Sequence, residues 1–272
     1  MSDRRDFLGQ LAGAALALSF PFTAGAADEA PDTVARAVAK AGRQRMLAQR
    51  CAKAWLMQAL GVMPDKAGGW LAESVAQFDR ELAELKVLGS TAALGLLVRL
   101  NADWRSLKNA LAQAPGREAA IDIFARADAV LNSAEMATQA YEKLSGTRLG
   151  WLISTSGRQS MLSQRAADFV FFNALGVETE ATRAGLARVR ADFADGLAEL
   201  KEAPENTSRI NNELALAEQQ WILFEGALAD SGSPRALRDI ATTSELMLRQ
   251  LTVLDDLYAA LPLRESVTMS DG

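Results

Sequence analysis

Between Ala41 and Arg50 the chain reads AGRQRMLAQR, and between Ser156 and Arg165 it reads SGRQSMLSQR. A guanidinium is a permanent cation with a planar fork of donors, so arginines at this density suit carboxylates or small planar oxyanions. Helical steps of three and four residues run Val34, Val38, Ala41, Arg45, Ala48, Ala52, Trp55, Ala59. Arg45 thus takes a slot that the pattern reserves for small or apolar side chains. Such seams let helices approach closely, and a guanidinium buried in one must meet an anion or a carboxylate. Arg43 and Arg50, a heptad apart and followed by Lys53, line a neighbouring face. For those two, ordinary ion pairs to adjacent helices explain the charge equally well.

Other chemistry is sparse. The chain has no histidine and a single cysteine, Cys51, which removes disulfide frameworks, His/Cys zinc sites and imidazole general bases. Di-iron bundles need Glu-x-x-His pairs, so that pattern is missing too. No catalytic residue, metal site or cofactor is read, and the chain is not expected to be an enzyme. A net charge of -5 argues against nucleic acid as a partner, since phosphate binding draws on a basic surplus. Met46, Trp55 and Leu56, like Phe169, Phe171 and Phe172, recur at helical spacing and read as core.

The elements that must position the arginines follow from a repeat. Laying Gly157 on Gly42 carries the ALGV at Ala174 to Val177 onto the ALGV at Ala59 to Val62, and FADGLAELK at Phe193 onto FDRELAELK at Phe78. Two residues of further shift align Trp221 with Trp104. Breakers at matching places leave four helices per copy, expected at 32–61, 67–88, 91–113 and 117–145, then 149–175, 178–202, 206–230 and 234–261. The fold class expected is all-α, two tandem up-and-down four-helix bundles related by internal duplication, over 27–146 and 147–264, with a tail at 265–272. The short junction from Lys143 to Trp151 suggests that the last helix of the first copy runs nearly straight into the second.

Ahead of the bundles, Arg4 and Arg5, an apolar run and the small residues Ala24, Gly25 and Ala26 look like a twin-arginine export signal over 1–26. No later apolar run approaches the roughly 20 residues that span a bilayer. The mature chain is expected in the periplasm.

The stretch KAGRQRMLAQRCAKAWLMQALGV, with its A-G-x-x-R-M-x-x-x-R words, resembles the opening helix of the PilJ-type domain of type IV pilus methyl-accepting transducers. It is also similar to the P-box helix of NarX-type nitrate/nitrite sensors. The resemblance implies a periplasmic sensory protein for a small oxyanion, nitrate or nitrite, acting through an unidentified periplasmic or membrane signalling protein. It places the ligand at Arg45, with Lys40, Gly42, Met46 and Arg50 beside it and with Gly157, Arg158, Ser160 and Arg165 from the second copy. There the aligned arginine is Ser160, so a site between copies holds one cation where two chains pairing as a homodimer would hold two. A periplasmic scaffold with no small-molecule ligand is the competing reading.

Overall fold

A computed structural model describes residues 31–88, 91–177, 179–229 and 233–262. Eight helices and no strand are present among them: α1 Pro31–Ala59, α2 Pro64–Leu88, α3 Thr91–Leu111, α4 Arg117–Ser145, α5 Arg148–Ala174, α6 Glu180–Lys201, α7 Ser208–Ala229 and α8 Pro234–Ala259. The export signal expected over 1–26 lies outside the described residues.

Local chemistry sets the helix ends. The ALGV words both close a helix. Gly61 and Gly176 sit at φ 66° and 77°, and the amides of Val62 and Val177 reach back to the carbonyls of Met57 and Phe172 at 2.8 and 3.0 Å. This is the Schellman closure, in which glycine tolerates the left-handed position and the next apolar residue folds onto the helix. Thr179 opens α6 with a reciprocal capping box to Thr182, and Ser233 caps α8 ahead of Pro234.

Helices α1 to α4 form one antiparallel bundle and α5 to α8 another. Equivalent contacts recur in both. Phe78 stacks on Trp104 at 3.8 Å and Phe193 on Trp221 at 3.7 Å. The hydroxyl of Tyr141 donates to the Leu85 carbonyl and that of Tyr258 to the Leu200 carbonyl.

The bundles do not simply sit end to end. Helix α1 packs along α5 as extensively as along α2 and α4 in its own bundle, and every residue of α1 from Gln44 to Met57 is buried. The two arginine-bearing helices are therefore the centre of the molecule, with α2, α4, α6 and α8 around them. The junction corrects the expectation of a straight run: α4 ends at Ser145, Gly146 turns at φ 58°, and the Thr147 side chain accepts from the Gly150 amide to start α5. A left-handed glycine followed by a capping threonine stops one helix and begins another within two residues.

Candidate functional site

The α1–α5 seam carries most of the buried charge. Arg45 is 1% exposed. Its guanidinium donates to Glu135 on α4 at 2.6 Å, to the Ser154 carbonyl on α5 at 2.9 Å and to the Gly42 carbonyl at 3.3 Å. A β-carbon at Gly42 would lie 3.1 Å from its Nη2 and one at Gly157 would lie 3.7 Å away. The two glycines thus make the space in which the guanidinium lies between the helices. Of the two partners expected for a buried Arg45, an anion or a carboxylate, the chain itself supplies the carboxylate. Burial works to raise the Glu135 pKa, but the charge and hydrogen bond of Arg45, with Arg158 behind, hold it below the usual range.

One turn further on, Arg50 crosses from the first bundle to the second. Its Nε and Nη2 meet the two oxygens of Glu245 on α8 at 3.1 and 2.9 Å, and Nη1 meets Glu73 on α2 at 3.0 Å. Lys53, fully buried, donates to the same Glu245 at 2.6 Å, to Gln164 at 2.5 Å and to Ser244 at 3.0 Å, with the Trp70 ring 5.5 Å away. Desolvation lowers the Lys53 pKa although Glu245 raises it; burial likewise pushes the Glu245 pKa up, and Lys53 and Arg50 hold it below normal. Arg165 makes the reverse crossing, from the second bundle to Asp128 on α4 at 2.6 Å and to Gln49 on α1 at 3.1 Å. The exchange is isologous in form: α1 reaches α8 while α5 reaches α4.

Between α1, α2, α5 and α8 lies a cavity of about 220 Å³. Arg43, Met46 and Arg50 come to it from α1, Glu73 and Gln77 from α2, Gly157 and Ser160 from α5, and Arg249, Thr252 and Asp255 from α8. Asp255 accepts from the Ser160 hydroxyl at 2.9 Å and from that of Ser156. Burial lifts its pKa to about 6, opposed by the two hydroxyls and the nearby Arg43. Arg43 pairs with Glu81 at 3.2 Å.

Of the residues expected at the site, Met46, Arg50, Gly157 and Ser160 meet in this cavity. Arg45 and Gly42 lie on the α4 side of the seam, against Glu135 and Ser154. Lys40 is drawn off to Glu84 at 2.5 Å, Arg158 is exposed with Glu135 and Asp192 each 3.9 Å away, and Arg165 is held by Asp128. Glu135, Glu245 and Asp255, the acids that organise both sides, were absent from the expected set. Their signal was available only by carrying the repeat into α4 and α8, where Asp128 and Glu245 share the spacing of Tyr141 and Tyr258. Among the described residues no group of three or more Cys, Asp or Glu side chains is placed to hold a metal, and Cys51 is buried with its thiol pKa pushed up by desolvation.

Two packed four-helix bundles thus share a seam with a polar cavity on it. Residues 31–140, most of the first bundle, match the family described as type IV pili methyl-accepting chemotaxis transducer N-term, PilJ. No curated protein and no solved structure matches the chain.

Proposed function

We propose that this protein is an exported sensory module, built from two PilJ-type bundles, that binds a small polar molecule in the cavity between α1, α2, α5 and α8 and reports it to a signalling protein. The family match supports a sensory role. The observation that carries the reading is the position of the cavity: a guest touches α1 and α2 of one bundle and α5 and α8 of the other at once. Its binding energy can therefore act on the relative set of the bundles, which a partner can read. Titration calorimetry of the chain from residue 27, against nitrate, nitrite, chloride and a panel of L-amino acids, tests this. Saturable binding of at least one compound, lost in Thr252→Trp at the cavity mouth, is expected; no binding by any of them at millimolar concentration rejects the reading and leaves the scaffold alternative.

A second reading keeps nitrate or nitrite at Arg45. It is favoured by the Glu135 carboxylate, a planar oxyanion already seated on that guanidinium at 2.6 Å, whose side chain is 27% exposed and could be displaced outward. Under this reading Glu135→Gln strengthens nitrate binding and Arg45→Gln abolishes it.

A further inference from the structure

The sensory reading leaves the ligand unnamed, and the following rests on that reading. The α1–α5 seam offers two seats at counterpart positions. In one, Arg45 lies against Gly42, bonded to the Gly42 and Ser154 carbonyls and to Glu135. In the other, the same offsets put Gly157, Ala39 and Thr252 where the first has Gly42, Ser154 and Glu135, and Ser160 where it has Arg45. Those four residues line the cavity. One seat is filled by a guanidinium from the chain; in the other the guanidinium and its glutamate are replaced by shorter side chains, and the space is open.

The open seat keeps an acid. Asp255, at the position of Thr138 in the filled seat, accepts from two serine hydroxyls and forms no ion pair among the described residues. The other charges are committed: Arg50 to Glu245 and Glu73, and Arg43 to Glu81. At the rim, Arg249 is exposed and without an ion pair among the described residues. What remains without an ion pair is one carboxylate inside, with Arg43 nearby but bonded to Glu81, and one guanidinium at the mouth. Six residues of α8 separate them, about 9 Å of helix rise, so the two charges meet the cavity from different turns of α8. About 220 Å³ would hold on the order of seven waters at ~30 Å³ each, so an amino acid fills the space and a nitrate ion does not.

We infer that the cavity binds a basic amino acid of the arginine type, with its guanidinium against Asp255 beside Ser160, the counterpart of Arg45, and its carboxylate at Arg249. The guest supplies the cation that Ser160 leaves out. Specificity then comes from Asp255, because a neutral isostere would leave that carboxylate unmatched.

Calorimetry at pH 7.5 with L-arginine and its neutral isostere L-citrulline tests the assignment, with Asp255→Asn and Ser160→Arg beside the wild type and melting temperature as the check on folding. Arginine is expected to bind saturably, citrulline and the Asp255→Asn variant about ten- to a hundredfold more weakly. Ser160→Arg, which rebuilds the filled seat, is expected to bind no arginine while melting no lower than wild type. Equal affinity for arginine and citrulline, undiminished binding in Asp255→Asn, or no arginine binding overturns the assignment. Should arginine fail while another compound binds and Thr252→Trp removes it, only the ligand class falls; should nothing bind, the sensory reading falls with it. If Ser160→Arg does not fold, the citrulline and Asp255→Asn arms decide alone.

Discussion

An ion inside a protein must be met by a partner or give up its charge, because desolvation costs several kcal/mol. Arg45, Arg50 and Lys53 follow the first course through Glu135 and Glu245. Asp168 follows the second. It is 2% exposed, neither carboxylate oxygen has a hydrogen-bond partner among the described residues, and burial raises its pKa well above normal against the pull of Lys53 and Arg165. A folded-state pKa above the unfolded value means that the native state holds the extra proton. Stability therefore falls as pH rises from the ordinary aspartate range through the folded pKa. Asp168→Asn removes that loss, with a gain of about 1–2 kcal/mol at pH 8 and next to none at pH 3.5. Urea midpoints at the two pH values measure it; a lower midpoint for the variant at pH 8 would show that the ionised form is the one being stabilised. The arginines were legible in the sequence because charge stands out in a small-residue seam. Their acids were not, since Glu135 and Glu245 lie 90 and 195 residues away from Arg45 and Arg50 and nothing in their local pattern separates them from solvated glutamates.

Helices were far easier to read than partners. The expected spans fall within three residues of the observed ends throughout, because heptad-like apolar spacing, ALGV closures and proline starts are local signals that the chain enforces locally. The junction at Gly146 and Thr147 was misread for the opposite reason: a two-residue break looks like a continuing helix unless its glycine is taken as a left-handed cap. Helix-to-helix spacing in the second bundle depends on another glycine. A β-carbon at Gly185 of α6 would stand 2.5 Å from Cζ of Phe169 on α5. That ring is itself held by Phe124 at 6.1 Å and by the Arg165 guanidinium at 5.0 Å. Alanine is worth up to about 1 kcal/mol more than glycine in a helix interior, while overpacking a buried ring costs about 1–3 kcal/mol. Gly185→Ala is therefore expected to destabilise by about 1–2 kcal/mol, read from the urea midpoint, whereas a gain would mean that α6 can move off α5 freely.

At the scale of the molecule, α1 and α5 meet as two copies would meet across a two-fold axis. Arg50 goes out to Glu245 and Arg165 comes back to Asp128, while Lys53 reaches Gln164 and Arg165 reaches Gln49. An interface satisfied in this way within one chain has no need of a second chain, so the protein from residue 27 is expected to run as a monomer in light scattering. A fragment of residues 27–146 loses α5, and the α1 face that it covered, with Ala41, Ala48, Ala52 and the Arg45 seat, turns to solvent. Alanine-rich faces of this kind pair readily because the backbones come close, and the only surface of matching shape left in solution is another copy of α1. The fragment is therefore expected to dimerise, with Arg45 groups from two chains facing each other across the seam. Each Arg45 keeps Glu135 of its own α4 as partner, so the facing guanidinium groups are already neutralised and added nitrate or sulfate is expected to leave that dimer unchanged, whereas Glu135→Gln should make it depend on either anion. A fragment that stays monomeric at high micromolar concentration with an unchanged urea midpoint would show that α1 does not depend on α5 for burial.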